Sequence, residues 1–260
     1  MATLRSALER SGSAAGCWVT IGHPTVAEVI AALDFDFLIV EREHAANDVE
    51  TVQNLVRAIE ATDPGVETIA RLAENDPTEA KLILDMGVDG VLVPMVETPE
   101  DAREVASSTR FPPDGRRGFG GSRATGYGID REGYLETAES LLRLVQIETP
   151  RGVENAAEIA SIPAIDGLFI GPSDLSLAMG TYGDWEEPRF LEAIDRVVQA
   201  GRGADVGVGT VAGTPETVVE RLEWGVDFLV AGVDVANLRA GTEATKRAYE
   251  EHREHGRERT

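Results

Sequence analysis

Short apolar runs alternate along this chain with longer segments in which apolar residues recur with a helical period. Each short run is rich in β-branched or aromatic residues and is followed by turn residues, which is typical of a buried strand. The longer segments have the pattern of amphipathic helices, and Thr25 is expected to cap the first of them. The pattern predicts strands at residues 16–21, 35–41, 66–72, 91–96, 144–148, 168–170, 206–211 and 228–231.

A phrase with an aspartate just before a strand recurs at residues 86–91, 163–168 and 224–229. It is typical of a short connection between a helix and the next strand. Repeated strand-helix units without a break in composition predict a single-domain (β/α)₈ TIM barrel over residues 1–250, followed by a charged tail at 251–260. A doubly wound open sheet is the alternative architecture.

The length of 260 residues fits one such barrel, which typically has about 250. We find no apolar run of about 18 residues and no apolar signal segment at the start, so we expect a cytoplasmic protein without a membrane partner. The lone Cys17 agrees with a reducing compartment. Because Cys17 lies within an apolar run, a buried structural thiol is favoured over a nucleophile.

The net charge of -22 is spread along the whole chain. Nucleic acid is excluded as a partner, because phosphates are neutralised by clustered Lys and Arg side chains. Nearly all the cations are arginines, and this composition indicates a halophilic protein whose self-repulsion is screened by salt.

One segment departs from the strand-helix rhythm, at residues 111–128. It is rich in glycine, arginine and aromatic residues and is longer than the loops that usually connect such elements. Loops of more than about 12 to 15 residues without structure of their own are usually functional or disordered. The arginines and aromatics favour a functional loop, and a flexible surface loop is the alternative.

Active sites of these barrels lie at the C-terminal ends of the strands. Two acids at the ends of neighbouring predicted strands, Glu148 and Asp174, can together bind a hard divalent cation such as Mg²⁺, Mn²⁺ or Co²⁺. Helix caps or ion pairs are the alternative for either acid alone. Polar residues at the other predicted strand ends are Glu41, Arg42, Glu43, His44, Arg71, Glu97, Gln146, Ser173 and Asp234.

His44 is a candidate general base near neutral pH, and Arg71 could stabilise a developing oxyanion. A structural histidine and an arginine paired with a barrel acid are the alternatives. A Schiff-base aldolase needs a lysine inside the barrel, yet the only lysines, Lys81 and Lys246, fall in predicted helices. If the protein forms an enolate, a metal ion is therefore expected to stabilise it.

Four segments together resemble the HpcH/HpaI family of class II, metal-dependent pyruvate aldolases: FLIVEREH (37–44), VLVPMVET (91–98), QIET (146–149) and GPSDLS (171–176). The likeness extends from about residue 16 to 238. Members of this family cleave 4-hydroxy-2-oxoheptanedioate, 2-dehydro-3-deoxyglucarate or 2-dehydro-3-deoxyrhamnonate. The resemblance implies a TIM barrel that assembles into a trimer or a hexamer (a dimer of trimers), with the C-terminal helix exchanged between subunits.

The resemblance also implies roles for individual residues. His44 matches the general base, Arg71 the enolate stabiliser, and Asp85 an acid that raises the basicity of the histidine. Where the family usually has Asp-Gly before Glu-His, this chain has Glu41-Arg42. The full set carried over is: catalytic His44, Arg71 and Asp85; metal ligands Glu148 and Asp174; substrate-binding Arg71, Gln146, Ser173 and Asp174; candidate acceptor-site residues Glu41, Arg42 and Arg123.

These roles predict reversible aldol cleavage of a 4-hydroxy-2-oxo acid to pyruvate or hydroxypyruvate and an aldehyde, through a metal-stabilised enolate. The expected partners are these small molecules and further copies of the chain. A citryl-CoA or malyl-CoA type lyase is the first alternative, although no basic aromatic site for CoA is evident. A non-catalytic barrel that binds oxo acids is the second.

Overall fold

The structure, a computed structural model, describes residues 3–10 and 12–257, the last four of these by backbone alone. Within this part of the chain, eight strands alternate with helices. The strands are β1 Ala14–Val19, β2 Phe37–Val40, β3 Glu67–Arg71, β4 Gly90–Val93, β5 Leu142–Ile147, β6 Gly167–Ile170, β7 Gly207–Val211 and β8 Phe228–Val233.

The helices differ widely in length, from five to 24 residues. They are α1 Leu4–Leu8, α2 Pro24–Ala31, α3 Val49–Thr62, α4 Pro77–Leu84, α5 Pro99–Thr109, α6 Arg131–Thr137, α7 Pro150–Ala160, α8 Pro172–Ala178, α9 Pro188–Ala204, α10 Pro215–Glu223 and α11 Asp234–Arg257, with short 3₁₀ helices at Arg123–Gly128 and Ala138–Ser140.

All neighbouring strands pair in parallel, and β8 returns to pair with β1. The closing register places Ala14 opposite Phe228 and shifts between Gly16 and Trp18. The closed barrel confirms the predicted TIM-barrel fold and excludes the open sheet. One apolar cluster fills the barrel, and a larger one lies between the strands and the surrounding helices.

Helix α1 closes the end of the barrel at which the strands begin. Its Leu4, Ala7 and Leu8 are buried against the interior cluster. Gly207, the first residue of β7, allows this close approach, since a Cβ built there would lie 2.6 Å from Leu8 Cα. With this end filled, the interior of the barrel is open at the opposite end, where the strands finish.

The recurring aspartates have one structural task. Asp89, Asp166 and Asp227 each precede a strand and accept a backbone N–H at the start of the preceding strand, at distances of 2.7, 2.8 and 3.0 Å. Asp36 accepts the N–H of Ala15 in the same way, at 2.8 Å. These bonds tie neighbouring strands together at the end where the strands begin.

Three local predictions are corrected by the structure. Helix α2 begins at Pro24 and is capped by His23, whose ring nitrogen accepts the N–H of Thr25, so Thr25 is not the cap. Strand β4 ends at Val93, because Met95 adopts a left-handed backbone conformation with φ 54°. The segment 111–128 is not without structure, since a 3₁₀ helix occupies Arg123–Gly128.

The long helix α11 runs through the predicted boundary at residue 250 and continues to Arg257. Part of the predicted tail, residues 258–260, lies outside the described residues. In the described part of the chain, no helix combines the length and apolar character needed to span a membrane.

Candidate active site

A cavity of about 240 Å³ lies at the C-terminal end of the barrel, opposite α1. Its walls come from six strand ends, the loop after β2 and the first turn of α8. Parallel strands that end at one rim explain why residues far apart in sequence meet here. The lining residues are Trp18, Thr20, Glu41, His44, Arg71, Gln146, Phe169, Gly171, Pro172, Ser173, Asp174, Val211 and Val233.

Arg71, the last residue of β3, is held in the cavity wall by a buried carboxylate. Its Nε donates to Glu41 Oε2 at 2.8 Å, and Trp18 Nε1 donates to the same oxygen at 2.7 Å. The guanidinium also lies 4.6 Å from the centroid of the Trp18 ring. Because Arg71 is only 7% exposed, its charge is fixed in place next to the cavity.

His44 lies in the loop after β2, and its side chain is exposed at the mouth of the cavity. Its backbone N–H donates to Glu41 Oε1 at 2.9 Å, which fixes the main chain of the loop. The carboxylate nearest to its ring is that of Glu43, with Oε2 3.9 Å from His44 Nε2. The same Glu43 oxygen lies 2.7 Å from Arg71 Nη1.

Glu148 follows β5 directly and is buried behind the cavity. Its Oε1 accepts the N–H of Met95 at 2.7 Å, and its Oε2 accepts a hydrogen bond from the side chain of Gln146. The left-handed conformation of Met95 is strained for a residue with a Cβ, and such strain persists where the surrounding structure fixes it. A Cβ built on Gly171 would lie 2.6 Å from Glu148 Oε2, so only glycine leaves room for this carboxylate.

Ser173 and Asp174 occupy the first turn of α8, immediately after β6, and both are exposed at the cavity. Burial raises the pKa of Glu148, and the charges of Glu43 and Asp174 raise it further. Burial is also the main cause that raises the pKa of Glu43, to which Asp174 again contributes. Surplus negative charge is therefore concentrated at this end of the barrel.

The donor set fits a hard divalent cation. Glu148 and Asp174 come from the ends of neighbouring strands, and the buried Oε1 of Gln146 has no hydrogen-bond partner among the described residues. Among the side chains of residues 3–10 and 12–253, no three His, Cys, Asp or Glu are grouped closely enough to hold a metal ion. A cation bound by these two carboxylates would thus keep positions for substrate and water oxygens.

Apart from the buried Glu148, three residues of the predicted site do not line the cavity. Asp85 ends α4, at the end of the barrel where the strands begin, and pairs with Arg117 at 2.7 Å rather than with His44. Arg123 pairs with Glu60 and donates to the carbonyl of Met86. Neither side chain lines the cavity of its own chain.

The third is Arg42, which pairs with the buried Glu79 and donates to the carbonyl of Asn47 at 2.9 Å. The charge of Arg42 is therefore compensated by Glu79, and the Arg42 side chain does not line the cavity. Glu41 does line the cavity, but its two oxygens accept from Arg71, Trp18 and the loop backbone. Of the candidate acceptor-site residues, only Glu41 lines the cavity, where its hydrogen bonds position Arg71 and the backbone of the loop.

Three residues of the site, Trp18, Phe169 and Glu43, are not among those predicted for it. Trp18 and Phe169 lie within apolar runs whose pattern predicts core, and their rings do pack against each other, with centroids 5.6 Å apart. The indole N–H of Trp18 is the one signal that could have found it, because a buried indole needs an acceptor. Glu43 stood among the polar strand-end residues, but its position between Arg71 and His44 is a matter of loop geometry.

The structure also places the residues that could have supported a different chemistry. Lys81 lies in α4 and Lys246 in α11, outside the barrel interior, which agrees with the exclusion of a Schiff-base mechanism. Cys17 is buried, and burial raises the pKa of its thiol to about 12, so it is not a nucleophile.

Comparisons with known proteins agree with this geometry. The sequence profile described as HpcH/HpaI aldolase/citrate lyase matches residues 14–240. A hydroxypyruvate/pyruvate aldolase of Delftia acidovorans is 40% identical over 250 residues, which covers 94% of this chain and 91% of that protein. A 5-keto-4-deoxy-D-glucarate aldolase of Salmonella arizonae is 34% identical over 229 residues, which covers 88% of this chain and 89% of that protein.

Solved structures show the same relation. A HpcH/HpaI aldolase/citrate lyase family protein of Burkholderia cenocepacia has a TM-score of 0.89 and 36% sequence identity. The alignment covers 96% of this chain and 98% of that chain. The similarity therefore extends over the barrel and all the strand ends that form the cavity.

Proposed function

Because this chain belongs to the HpcH/HpaI aldolase/citrate lyase family, we propose that it catalyses reversible aldol cleavage of a 4-hydroxy-2-oxo acid. The products are pyruvate or hydroxypyruvate and an aldehyde. One observation carries the proposal: His44, Arg71, Gln146, Ser173 and Asp174 converge on one small cavity at the catalytic end of the barrel. The names of the similar proteins, hydroxypyruvate/pyruvate aldolase and 5-keto-4-deoxy-D-glucarate aldolase, support it.

In this reaction the C3–C4 bond of the substrate breaks, and its electron pair forms the enolate of the 2-oxo acid. His44 accepts the proton of the 4-hydroxyl group as the aldehyde forms. Arg71, whose side chain is largely buried, supplies fixed positive charge beside the enolate oxygen. Gln146 and the backbone of Ser173 orient the 2-oxo acid.

We propose that a divalent cation, Mg²⁺, Mn²⁺ or Co²⁺, is held by Glu148 and Asp174. When bound, it supplies the positive charge that lowers the energy of the enolate. Burial, and to a lesser extent the charges of Glu43 and Asp174, raise the pKa of Glu148, and a bound cation would offset both effects, which supports this assignment.

The cavity volume bears on the alternative lyase activity. At about 240 Å³ the cavity is smaller than the roughly 300 to 1,000 Å³ typical of sites for drug-sized ligands. It suits a small oxo acid and leaves little room for an acyl-CoA thioester. A short-chain 4-hydroxy-2-oxo acid is therefore favoured over citryl-CoA or malyl-CoA as the substrate.

Deuterium exchange tests this function without knowledge of the aldehyde. With Mn²⁺ in D₂O, we expect the wild-type protein to exchange the methyl protons of pyruvate, as followed by ¹H NMR. We expect Arg71→Ala to slow this exchange about a hundred-fold or more, since a group that stabilises an oxyanion is lost. Arg151→Ala, which removes an exposed arginine paired with Glu97, is the matched control and should exchange normally.

Each other outcome points elsewhere. Exchange of an acyl-CoA but not of pyruvate would indicate the lyase, and pyruvate binding without exchange would indicate an oxo-acid sensor. Exchange within a few-fold of wild type in Arg71→Ala would contradict the assignment of Arg71. An aldehyde panel offered with pyruvate or hydroxypyruvate then identifies the acceptor and the preferred donor.

We also propose that the protein is a trimer or hexamer in which α11 is exchanged between subunits. The support is an apolar surface beside the barrel: Val29 on α2 and Val219 and Leu222 on α10 are each more than half exposed. Helix α11 itself is exposed along most of its length from Leu238 onward. Sedimentation of the full chain distinguishes these assemblies from a monomer.

The adaptation of the protein to high salt stays a prediction.

A further inference from the structure

Two glutamates flank Arg42 in the loop that carries His44, and they have different surroundings. Glu41 is 1% exposed, and both its oxygens already accept hydrogen bonds. Oε1 accepts backbone N–H groups of the loop, including that of His44 at 2.9 Å, and Oε2 accepts from Trp18 and Arg71. Glu41 therefore fixes the main chain of His44 and does not contact its imidazole ring.

Glu43 faces the imidazole instead. Its Oε2 lies 3.9 Å from His44 Nε2 and 2.7 Å from Arg71 Nη1. This oxygen is buried, and its contact with Arg71 is an ion pair without hydrogen-bond geometry, so it can still accept a hydrogen bond. The exposed ring of His44, 3.9 Å away, carries a donor that can rotate toward it.

Given the aldol reaction proposed above, we propose that Glu43, not Glu41, is the carboxylate that orients the His44 imidazole. With Nε2–H directed at Glu43 Oε2, the ring presents Nδ1 as its proton acceptor. The proton of the substrate hydroxyl moves to Nδ1, and the resulting imidazolium lies against a negative charge. The proton returns by the same route in the direction of synthesis.

Burial raises the pKa of Glu43, and charges on several elements also act on it. Arg71 on β3 and His44 on its own loop favour the ionised carboxylate, whereas Glu41 and Asp174 oppose it. The pair with Arg71 at 2.7 Å also limits the movement of the side chain, which is 16% exposed. Glu43 is thus a positioning residue that acts on the substrate through His44.

The test compares the two glutamates by the pH dependence of kcat/KM for aldol cleavage. We expect Glu43→Gln to lower kcat about ten- to a hundred-fold, the usual effect of removing a residue that orients a functional group. The acid limb of its profile should move to lower pH, because the imidazolium loses its counter-charge. Glu43→Asp should recover part of the activity and move the acid limb part of the way back to its wild-type position.

Two further variants separate this role from a structural one. Glu41→Gln should lower activity by loosening Arg71, but its acid limb should stay in place. Glu74→Gln makes the same change at an exposed acid in the loop after β3 and should match wild type. An unmoved acid limb in Glu43→Gln, or an equal shift in Glu41→Gln, would overturn the proposal.

A second measurement does not depend on activity. Imidazole titration by NMR in the full-length protein, with the His44 signals assigned from a His44→Asn spectrum, should show a lower midpoint in Glu43→Gln than in wild type. An unchanged midpoint would overturn the inference even if the aldol reaction is confirmed. A lowered midpoint in a protein without aldolase activity would retain the pair and contradict only the proposed function.

Discussion

Both ends of the barrel carry carboxylates next to the strands, but the carboxylates have different roles at the two ends. At the end where the strands begin, each acid has its own backbone donor: Asp36, Asp89, Asp166 and Asp227 each accept one N–H from a neighbouring strand. These acids are spaced around the barrel, one to each pair of strands. They satisfy the backbone where the sheet closes, which is a structural role.

At the end where the strands finish, the acids are brought together. Glu43, Glu148 and Asp174 follow the ends of three different strands, and their charges act on one another. Only part of their hydrogen-bonding capacity is used, since the buried Oε2 of Glu43 pairs with Arg71 but forms no hydrogen bond within the described chain. Surplus acceptors and surplus charge are what a cation and a polar substrate need.

A single acid from each end shows the physical difference. Burial raises the pKa of Asp166, while the adjacent Arg143 lowers it through a hydrogen bond and its charge. Burial also raises the pKa of Glu148, but there two further carboxylates add to the effect. Burial is therefore common to these two acids, and the charge beside them differs: an arginine faces Asp166, whereas carboxylates face Glu148.

The largest expected effect is at the catalytic end. Glu148→Gln keeps the size of the side chain and an acceptor for the Met95 N–H but removes the charge. We expect pyruvate-dependent aldol activity to fall about a hundred-fold or more, because cation binding and enolate stabilisation are lost together. Stability at neutral pH should not fall. Activity within a few-fold of wild type would remove Glu148 from the site.

The opposite pattern is expected at the other end. Asp227→Ala leaves the buried N–H of Val208 without an acceptor and removes the pair with Arg10. We expect the free energy of unfolding, measured with urea, to fall by about 1 to 3 kcal/mol while kcat/KM stays nearly unchanged. Asp227→Asn retains an acceptor oxygen and should lose less. A large drop in kcat/KM in the folded variant would break the distinction between the two ends.

The same contrast explains what could be predicted from the sequence. Strand periodicity gave the eight strands and the closed barrel, and the strand ends gave His44, Arg71, Gln146, Ser173 and Asp174, because in a parallel barrel the order of strands determines which ends meet. That list also included Arg42, whose pairing with Glu79 depends on how the loop after β2 folds. Loop conformation is set by tertiary contacts that periodicity does not report.

Asp85 entered the predicted site by resemblance alone, and Arg123 as an arginine of the long segment 111–128. In the chain they lie at the end where the strands begin, paired with Arg117 and Glu60. No pattern of polar and apolar residues could have placed them, since Asp85 ends a helix and Arg123 lies in the long segment after α5. Their predicted roles toward His44 and the aldehyde acceptor are not met within one subunit.

The smallest expected effect is on the pH dependence of stability, and it distinguishes the two ends of the barrel most clearly. The folded-state pKa of Glu148 is raised, so its contribution to stability is fully present below the unfolded pKa and is lost as pH rises through the folded value. Without divalent cations, the free energy of unfolding should therefore decrease from pH 5 to 7 less in Glu148→Gln than in wild type. Asp166→Asn should also reduce this loss, because burial raises the pKa of Asp166 as well.

Added Mn²⁺ separates the two ends in this pH experiment. It should stabilise wild type and Asp166→Asn at pH 7, where ionised Glu148 is free to bind the cation, but not Glu148→Gln. The stability order of wild type and Glu148→Gln would then reverse between the cation-free and the Mn²⁺-loaded protein, which can be read from urea unfolding at pH 7. An order that stays the same would mean that Glu148, like Asp166, is an acid whose burial serves only the fold.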